Sequence, residues 1–263
     1  MKPFGIILLF LLFIGCNKEK QKAPEAFFIK PESITVAVTN ATLQGTTNHK
    51  ITDLWYYVNG KFKGVFPVGN IFPIPSTGPT QIIVYPGIKN NGISATRQPF
   101  EFYEPVTIDT AVMPGTIVKR DFSFKYKGGT NFRLLEDFEG FGTTSGISIK
   151  KSNNSDTTFT ILTTVSQAFE GTKCFYFAVD DDKKIAQFET VSQSYALPKS
   201  GAPVFLEINY KCTQPFDICV FSGTSSIYVS TINTSANWNK IYIQLSTGVS
   251  TLPNSTCGLY IRA

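Results

Sequence analysis

Residues 54–66 read LWYYVNGKFKGVF, and this stretch predicts the kind of fold that the chain adopts. Two runs of aromatic and β-branched residues flank Asn59-Gly60. Asn-Gly is the strongest short hairpin signal, because both central residues of the tight turn need a positive φ. Successive side chains of a strand point to opposite faces. One face of the first strand carries Leu54, Tyr56 and Val58, and the other carries Trp55 and Tyr57. The stretch therefore predicts a β-hairpin, and one of its two faces is a candidate for exposure.

Strand-like runs continue on both sides of this hairpin. Residues 33–39 alternate with period two, as a half-buried strand does. Further runs lie at residues 81–85, 100–103, 107–112 and 117–126. Aromatic residues make up 14% of the chain and charged residues only 16%, a balance that favours packed sheets over charged helices. We therefore expect an all-β first domain over residues 26–127.

A second strand-rich region follows a flexible boundary. Residues 127–131 contain Gly128-Gly129 and separate the first region from runs at 175–179, 204–210, 238–245 and 259–262. A length of 263 residues suits two domains of usual size. The sequence thus predicts a second β domain over residues 132–263.

The first sixteen residues have the character of an export signal. Lys2 precedes an apolar run over residues 4–14, which is shorter than the roughly 20 residues of a membrane span. Phe13-Ile14-Gly15-Cys16 resembles the lipobox of bacterial lipoproteins. That resemblance implies a signal peptide over residues 1–15, acylation of Cys16, and a polar tether over residues 16–25. Asn17 follows Cys16, where an Asp would resemble an inner-membrane retention signal, so the resemblance favours an anchor in the outer membrane, on the periplasmic or the cell-surface side. A plain secretory signal and an uncleaved anchor are the alternatives.

Two further resemblances concern the folded part. The Val58 to Gly64 hairpin before a Pro-rich stretch resembles the immunoglobulin-like or PEGA-type modules of bacterial envelope proteins. Residues 132–263 open on Asp137-Phe138-Glu139, place Trp238 before a late strand, and resemble jelly-roll domains of the carbohydrate-binding-module type. The resemblances imply two β-sandwiches, an immunoglobulin-like one and then a jelly roll, and the second kind of domain hosts many unrelated ligands.

Four cysteines remain besides Cys16, and all lie in the second predicted domain: Cys174, Cys212, Cys219 and Cys257. Cys212 and Cys219 could face each other across a hairpin and form a disulfide in an oxidising compartment. The alternative is that all four are small buried residues with free thiols.

Catalytic and metal-binding patterns are weak. The sequence has no Gly-x-Ser-x-Gly elbow or Gly-x-Gly-x-x-Gly fingerprint, and its single histidine, His49, lies beside a turn. We therefore expect no enzyme and no cofactor. Jelly-roll modules of the resembled type often hold a structural calcium ion, which Asp180, Asp181 and Asp182 could bind. The alternative is a solvated hairpin tip.

The expected function is protein binding in the cell envelope. A net charge of +5 without a basic cluster argues against a nucleic-acid partner. The architecture resembles that of accessory lipoproteins in outer-membrane complexes for uptake, export or barrel assembly. The alternative is a surface glycan-binding lipoprotein that uses the second domain. Candidate binding aromatics are Trp55, Tyr57 and Trp238.

Overall fold

The computed structural model describes residues 25–75, 78–192 and 195–263, and these residues form an all-β, sandwich-like protein, as predicted. Residues 1–24 lie outside the described part, so the predicted signal peptide, Cys16 and most of the tether have no structural account here. None of the described helices is long and apolar enough to cross a membrane.

The described strands are β1 (Ala26–Ala37), β2 (Asp53–Val58), β3 (Lys61–Pro67), β4 (Phe72–Pro75), β5 (Thr80–Lys89), β6 (Arg97–Pro99), β7 (Val106–Thr110), β8 (Ile117–Lys125), β9 (Ile149–Lys151), β10 (Phe159–Leu162), β11 (Cys174–Phe177), β12 (Gln187–Thr190), β13 (Tyr195–Ala196), β14 (Phe205–Cys212), β15 (Phe216–Ser222), β16 (Ser225–Ile232), β17 (Ser235–Gln244) and β18 (Thr256–Arg262). The described helices are α1 (Ala41–Gln44), α2 (Ser246–Thr251) and a 3₁₀ turn at Ser94–Thr96.

The first sandwich packs two sheets over one core. One sheet has the order β4-β1-β8, and in it β1 runs parallel to β8, with Phe28 opposite Ile117. The other has the order β3-β2-β5-β6, and β7 also pairs with β5. The predicted hairpin is β2–β3, and its turn residues Asn59 and Gly60 have φ values of 49° and 75°. The inward face of β2 joins a core rich in Phe, Ile and Tyr.

The second sandwich is built around the sheet path β16-β15-β18-β12-β9, with β13 paired to β18. Strands β14 and β17 form a separate two-stranded sheet, and β10 pairs with β11. Helix α2 packs closely against β15 and β16. A Cβ on Gly248 would lie 2.9 Å from the side chain of Val220 and 3.2 Å from that of Val229. The core comprises apolar side chains of β14 to β18 and α2.

The described ladders fall on either side of the predicted boundary at residues 127–131. Every described ladder pairs strands within residues 26–125 or within 149–262. A single isolated bridge, between Asn90 and Tyr242, joins the two groups in the described part of the chain. The two sandwiches nevertheless meet, because Tyr242 belongs to the core cluster of the first.

Candidate functional site: an aromatic face on the first sandwich

Four aromatic side chains lie together on the outer face of the sheet β3-β2-β5. The ladder registers place Tyr57 opposite Phe62 on β3 and Trp55 opposite Tyr85 on β5. Trp55, Tyr57 and Tyr85 are half-buried, whereas the side chain of Phe62 is 50% exposed. We call these four residues the aromatic face. Trp55 and Tyr57 were predicted as binding candidates, and the structure brings them together on the solvent side of β2.

The rings of the aromatic face lean against one another. Phe62 lies with its ring centroid 5.8 Å from that of Trp55 and 5.4 Å from that of Tyr57. Tyr57 meets Tyr85 edge-on at 5.5 Å, with the ring planes 70° apart. Tilted and edge-to-face pairs are favourable for aromatic rings. The result is a ridged apolar surface rather than one flat plane.

A buried carboxylate fixes the position of the Trp55 ring. The indole Nε1 of Trp55 donates a hydrogen bond to Asp53 Oδ1 at 2.7 Å, and Thr52 Oγ1 donates to Asp53 Oδ2 at 2.7 Å. Arg97 Nε lies 3.4 Å from Asp53 Oδ2 and compensates the buried charge. A Cβ on Gly87 would fall 1.9 Å from Asp53 Oδ1, so only glycine leaves room for this carboxylate. Trp55 is therefore held in one orientation.

The border of the aromatic face is largely cationic. Lys63 is exposed at the hairpin end, and Arg97 is exposed at the opposite end. Asp109, on β7, is an exposed carboxylate that accepts a hydrogen bond from Gln81 Nε2 at 3.3 Å. An apolar centre with a polar border is the usual organisation of a protein-binding surface.

Trp238 does not belong to this surface. It lies on β17 of the second sandwich, half-buried, with its ring centroid 5.6 Å from that of Phe169. The Lys211 ammonium lies 5.6 Å from the centre of the same ring. The three predicted aromatics thus divide into a pair on one sandwich and a single ring on the other.

The acidic run at residues 180–182 caps a turn. Asp180 Oδ1 accepts hydrogen bonds from the backbone N–H groups of Asp182 at 3.0 Å and Lys183 at 2.7 Å. Asp181 and Asp182 are exposed. Across residues 25–75, 78–192 and 195–263, no group of three or more His, Cys, Asp or Glu side chains is placed to hold a metal ion. Asp180 thus acts as a cap for its own turn, and the calcium site stays a prediction.

The predicted hairpin between Cys212 and Cys219 is not formed. Cys212 ends β14 and lies opposite Ser235, whereas Cys219 lies on β15 between Tyr228 and Tyr260 in a different sheet. The intervening residues therefore cross between sheets, and both thiols are free. Burial raises the pKa of the Cys174, Cys219 and Cys257 thiols, which keeps them protonated and unreactive.

A second cluster, missed by the sequence analysis, joins the two sandwiches; we call it the interdomain cluster. It consists of Tyr103, Tyr126, Glu207, Lys240 and Tyr242. Tyr126 Oη donates to Glu207 Oε1 at 2.8 Å, and Lys240 Nζ lies 2.8 Å from Glu207 Oε2. The hydroxyls of Tyr103 and Tyr242 lie 3.3 Å apart. Burial is the main cause that raises the pKa of all three tyrosines, so they remain hydrogen-bonding phenols.

Backbone contacts and rings surround the interdomain cluster. Asn91 N donates to Tyr242 O at 2.8 Å, and Gln244 N donates to Asn91 Oδ1 at 2.9 Å. Phe100 lies with its ring centroid 4.8 Å from that of Tyr242 and 5.3 Å from that of Phe205. No local sequence pattern could identify these residues, because their contacts join distant parts of the chain. Phe62, by contrast, could have been found, since a two-residue turn at Asn59-Gly60 places it opposite Tyr57.

Comparison with known proteins adds no relative: no family model matches the chain, and a search of curated proteins returns no match.

Proposed function

We propose that this chain is a non-enzymatic lipoprotein of the bacterial outer membrane that binds another envelope protein through the aromatic face. The observation that carries the proposal is the group of four rings on the solvent side of the β3-β2-β5 sheet. Exposed aromatic clusters with polar borders are characteristic of binding surfaces. The lipobox-like Phe13 to Cys16 segment supports the membrane location.

The shape of the aromatic face favours a protein over a sugar. A sugar ring stacks on a flat aromatic platform, whereas these rings are tilted by 35° to 70° against their neighbours. A ridged surface can instead be filled by side chains of a partner protein. The exposed Lys63 favours a partner with carboxylates around its own apolar centre.

The environment of His49 supports a role without catalysis. Its Nε2 lies 3.0 Å from Ile34 O, and its Nδ1 accepts a hydrogen bond from Ile51 N at 3.3 Å. Both ring nitrogens are therefore used to hold the backbone, and neither is offered to a substrate.

The binding proposal is tested by Tyr57→Ala and Phe62→Ala. Both side chains contact neighbouring rings on the outer face, so their removal should spare the core. We expect each variant to lose tenfold or more of its affinity for the partner, about 1.4 kcal/mol or more, because aromatic side chains carry much of the binding energy at interfaces. The measurement is co-purification from detergent-solubilised membranes, followed by titration with the partner so identified. Trp55→Ala is less suitable, because it also removes the hydrogen bond to Asp53.

Tyr176→Ala is the matched control, since Tyr176 is 51% exposed on the second sandwich. It should retain the partner. Retention of the partner by both aromatic-face variants would contradict the proposed surface. If the protein binds a defined polysaccharide and Trp238→Ala abolishes that binding, the function is glycan binding and not protein binding.

The membrane location is tested by Cys16→Ser. Several acyl chains on one residue give stable anchoring, so their loss should release the protein. We expect the variant to move from the membrane fraction to the soluble periplasmic fraction, as measured by immunoblotting after ultracentrifugation. Undiminished membrane association of the variant would show that Cys16 is not the site of anchoring.

A further inference from the structure

Strand β16 is an unprotected edge of the largest sheet. It occupies one end of the path β16-β15-β18-β12-β9, and among the described residues only β15 pairs with it. Its eight residues read SSIYVSTI. Residues 218–239, which include this strand, contain no Asp, Glu, Lys, Arg or Pro. The outer edge of β16 thus presents backbone donors and acceptors with nothing in its sequence to repel another strand.

The other terminal strands of the multi-stranded sheets carry the features that normally prevent edge pairing. Charged side chains, prolines and bulges all serve this purpose. Prolines lie in β4, charged residues lie in β8 and β9, Arg97 and Pro99 lie in β6, and β3 has two lysines. Strands β3 and β16 each have a register shift against the neighbouring strand, so β16 differs from the other terminal strands in its lack of charge and proline, not of a bulge. The contrast singles out β16 as an edge on which pairing is tolerated.

We propose that β16 pairs antiparallel with β16 of a second copy of this chain, joining the two sheets into one across a two-fold axis. In such a pair the residue on the axis faces its own copy, so a charge there would meet a like charge, and the residues on either side of the axis face one another in reciprocal pairs. The uncharged sequence of β16 meets this requirement. The inference is independent of the proposed function, because the aromatic face lies on the other sandwich.

A register centred on Tyr228 pairs uncharged side chains on both faces, and the register shift of β16 lies beside this axis, between Tyr228 and Ser230. Tyr228, 55% exposed, would lie opposite the Tyr228 of the second copy on the outer face. On the inner face, Ile227 of each copy would lie opposite Val229 of the other copy. Gly248 of α2 lies close to both of these side chains. Aromatic and β-branched cross-strand pairs are among the favourable ones in antiparallel sheets.

The test is the molar mass of the purified full chain over a range of concentrations, for the wild-type protein, Tyr228→Lys and Ser226→Lys. We expect a concentration-dependent dimer for the wild type and about a tenfold or greater rise in the dimer dissociation constant for each lysine variant. Both side chains are exposed, so thermal unfolding of the variants should match that of the wild type at concentrations where the wild type is monomeric. The backbone amides of Ser225–Ile232 that point away from β15 should also become protected from hydrogen exchange as the concentration rises.

Ser123→Lys is the matched control, because Ser123 is exposed on β8, an edge that already carries charge. This variant and Tyr57→Ala should both dimerise as the wild type does. A wild-type chain that stays monomeric at every concentration would overturn the inference. Dimers that survive both lysine variants, or that Tyr57→Ala dissociates, would also overturn it, since they would place the interface elsewhere.

Discussion

At the scale of single residues, the single histidine shows how one side chain links distant segments. Ile34 O accepts from His49 Nε2–H, while His49 Nδ1 accepts from the backbone of Ile51, which requires the neutral imidazole. Burial lowers the pKa of His49 below its ordinary value of 6.5, and the positive charge of Lys240 lowers it further, although the hydrogen bond to Ile34 acts in the opposite direction. His49 is therefore a structural residue of the region near the interdomain cluster.

This environment predicts a loss of stability on mild acidification. Above the ordinary histidine pKa, both the folded and the unfolded chain carry a neutral imidazole, and stability does not depend on it. As the pH falls through 6.5, the unfolded chain binds a proton that the folded chain resists, so the free energy of unfolding decreases. We expect the urea midpoint to fall between about pH 7.5 and about pH 5.5, and His49→Gln to remove most of this dependence. An equally large fall in His49→Gln would assign the effect to other groups.

At the scale of elements, β17 contributes side chains to the cores of both sandwiches. It pairs with β14 along most of its length, yet its Tyr242 lies in the core of the first sandwich. The adjacent Lys240 is paired with Glu207 of β14, and both side chains are largely buried. The β14–β17 sheet is thus the element by which the second sandwich contacts the first.

The interdomain cluster should contribute measurably to stability through Glu207. Glu207→Gln leaves the largely buried Lys240 ammonium without its carboxylate, and we expect a loss of about 3 kcal/mol in the free energy of unfolding. Tyr126→Phe removes one hydrogen bond and should cost about 1 kcal/mol. Because Tyr126 and Glu207 share that hydrogen bond, the double variant should lose less than the sum of the two single variants.

Urea unfolding of the four proteins measures these differences. Glu104→Gln is the control, because the Lys125–Glu104 pair is exposed on both sides, and such pairs contribute about 0 to 1 kcal/mol. Additive effects of Tyr126→Phe and Glu207→Gln would show that their hydrogen bond does not couple the two sandwiches.

At the scale of the whole molecule, local sequence patterns predicted individual strands and the β2–β3 hairpin. They did not predict the contacts between the two sandwiches. Period-two alternation and the Asn59-Gly60 turn correctly predicted the β2–β3 hairpin and separated its core side chains from Trp55 and Tyr57. The hairpin predicted from the spacing of Cys212 and Cys219 is wrong. Six intervening residues can close a hairpin or cross between sheets, and only long-range strand pairing decides between the two. The contacts of Tyr242 with Tyr103 and Phe100 could not be predicted from the sequence, because they also depend on long-range pairing.

The interdomain cluster predicts that a cut at the boundary will not separate the sandwiches. Residues 127–129 are exposed, so limited proteolysis should cut there first. We expect the two fragments to elute together under native conditions and to separate only in denaturant, as measured by size-exclusion chromatography with mass spectrometry. Nicked Tyr242→Ala should instead dissociate without denaturant. Free fragments from the nicked wild-type chain would show that the contacts across the boundary are too weak to hold it together.

The parallel pairing of β1 with β8 has a consequence for the order of folding. The segment opposite Phe28 begins at Ile117, so the first strand of the sandwich cannot complete its sheet until nearly the whole domain has emerged from the ribosome. Contacts between residues so far apart in sequence slow folding, because the closure entropy must be overcome before the pairing compensates it. The hydrogen bond from Asn91 N to Tyr242 O joins residues still farther apart in sequence. The ladders of β1 with β4 and of β2 with β3 and β5 can form earlier, so β8 is the strand whose arrival completes the first sandwich.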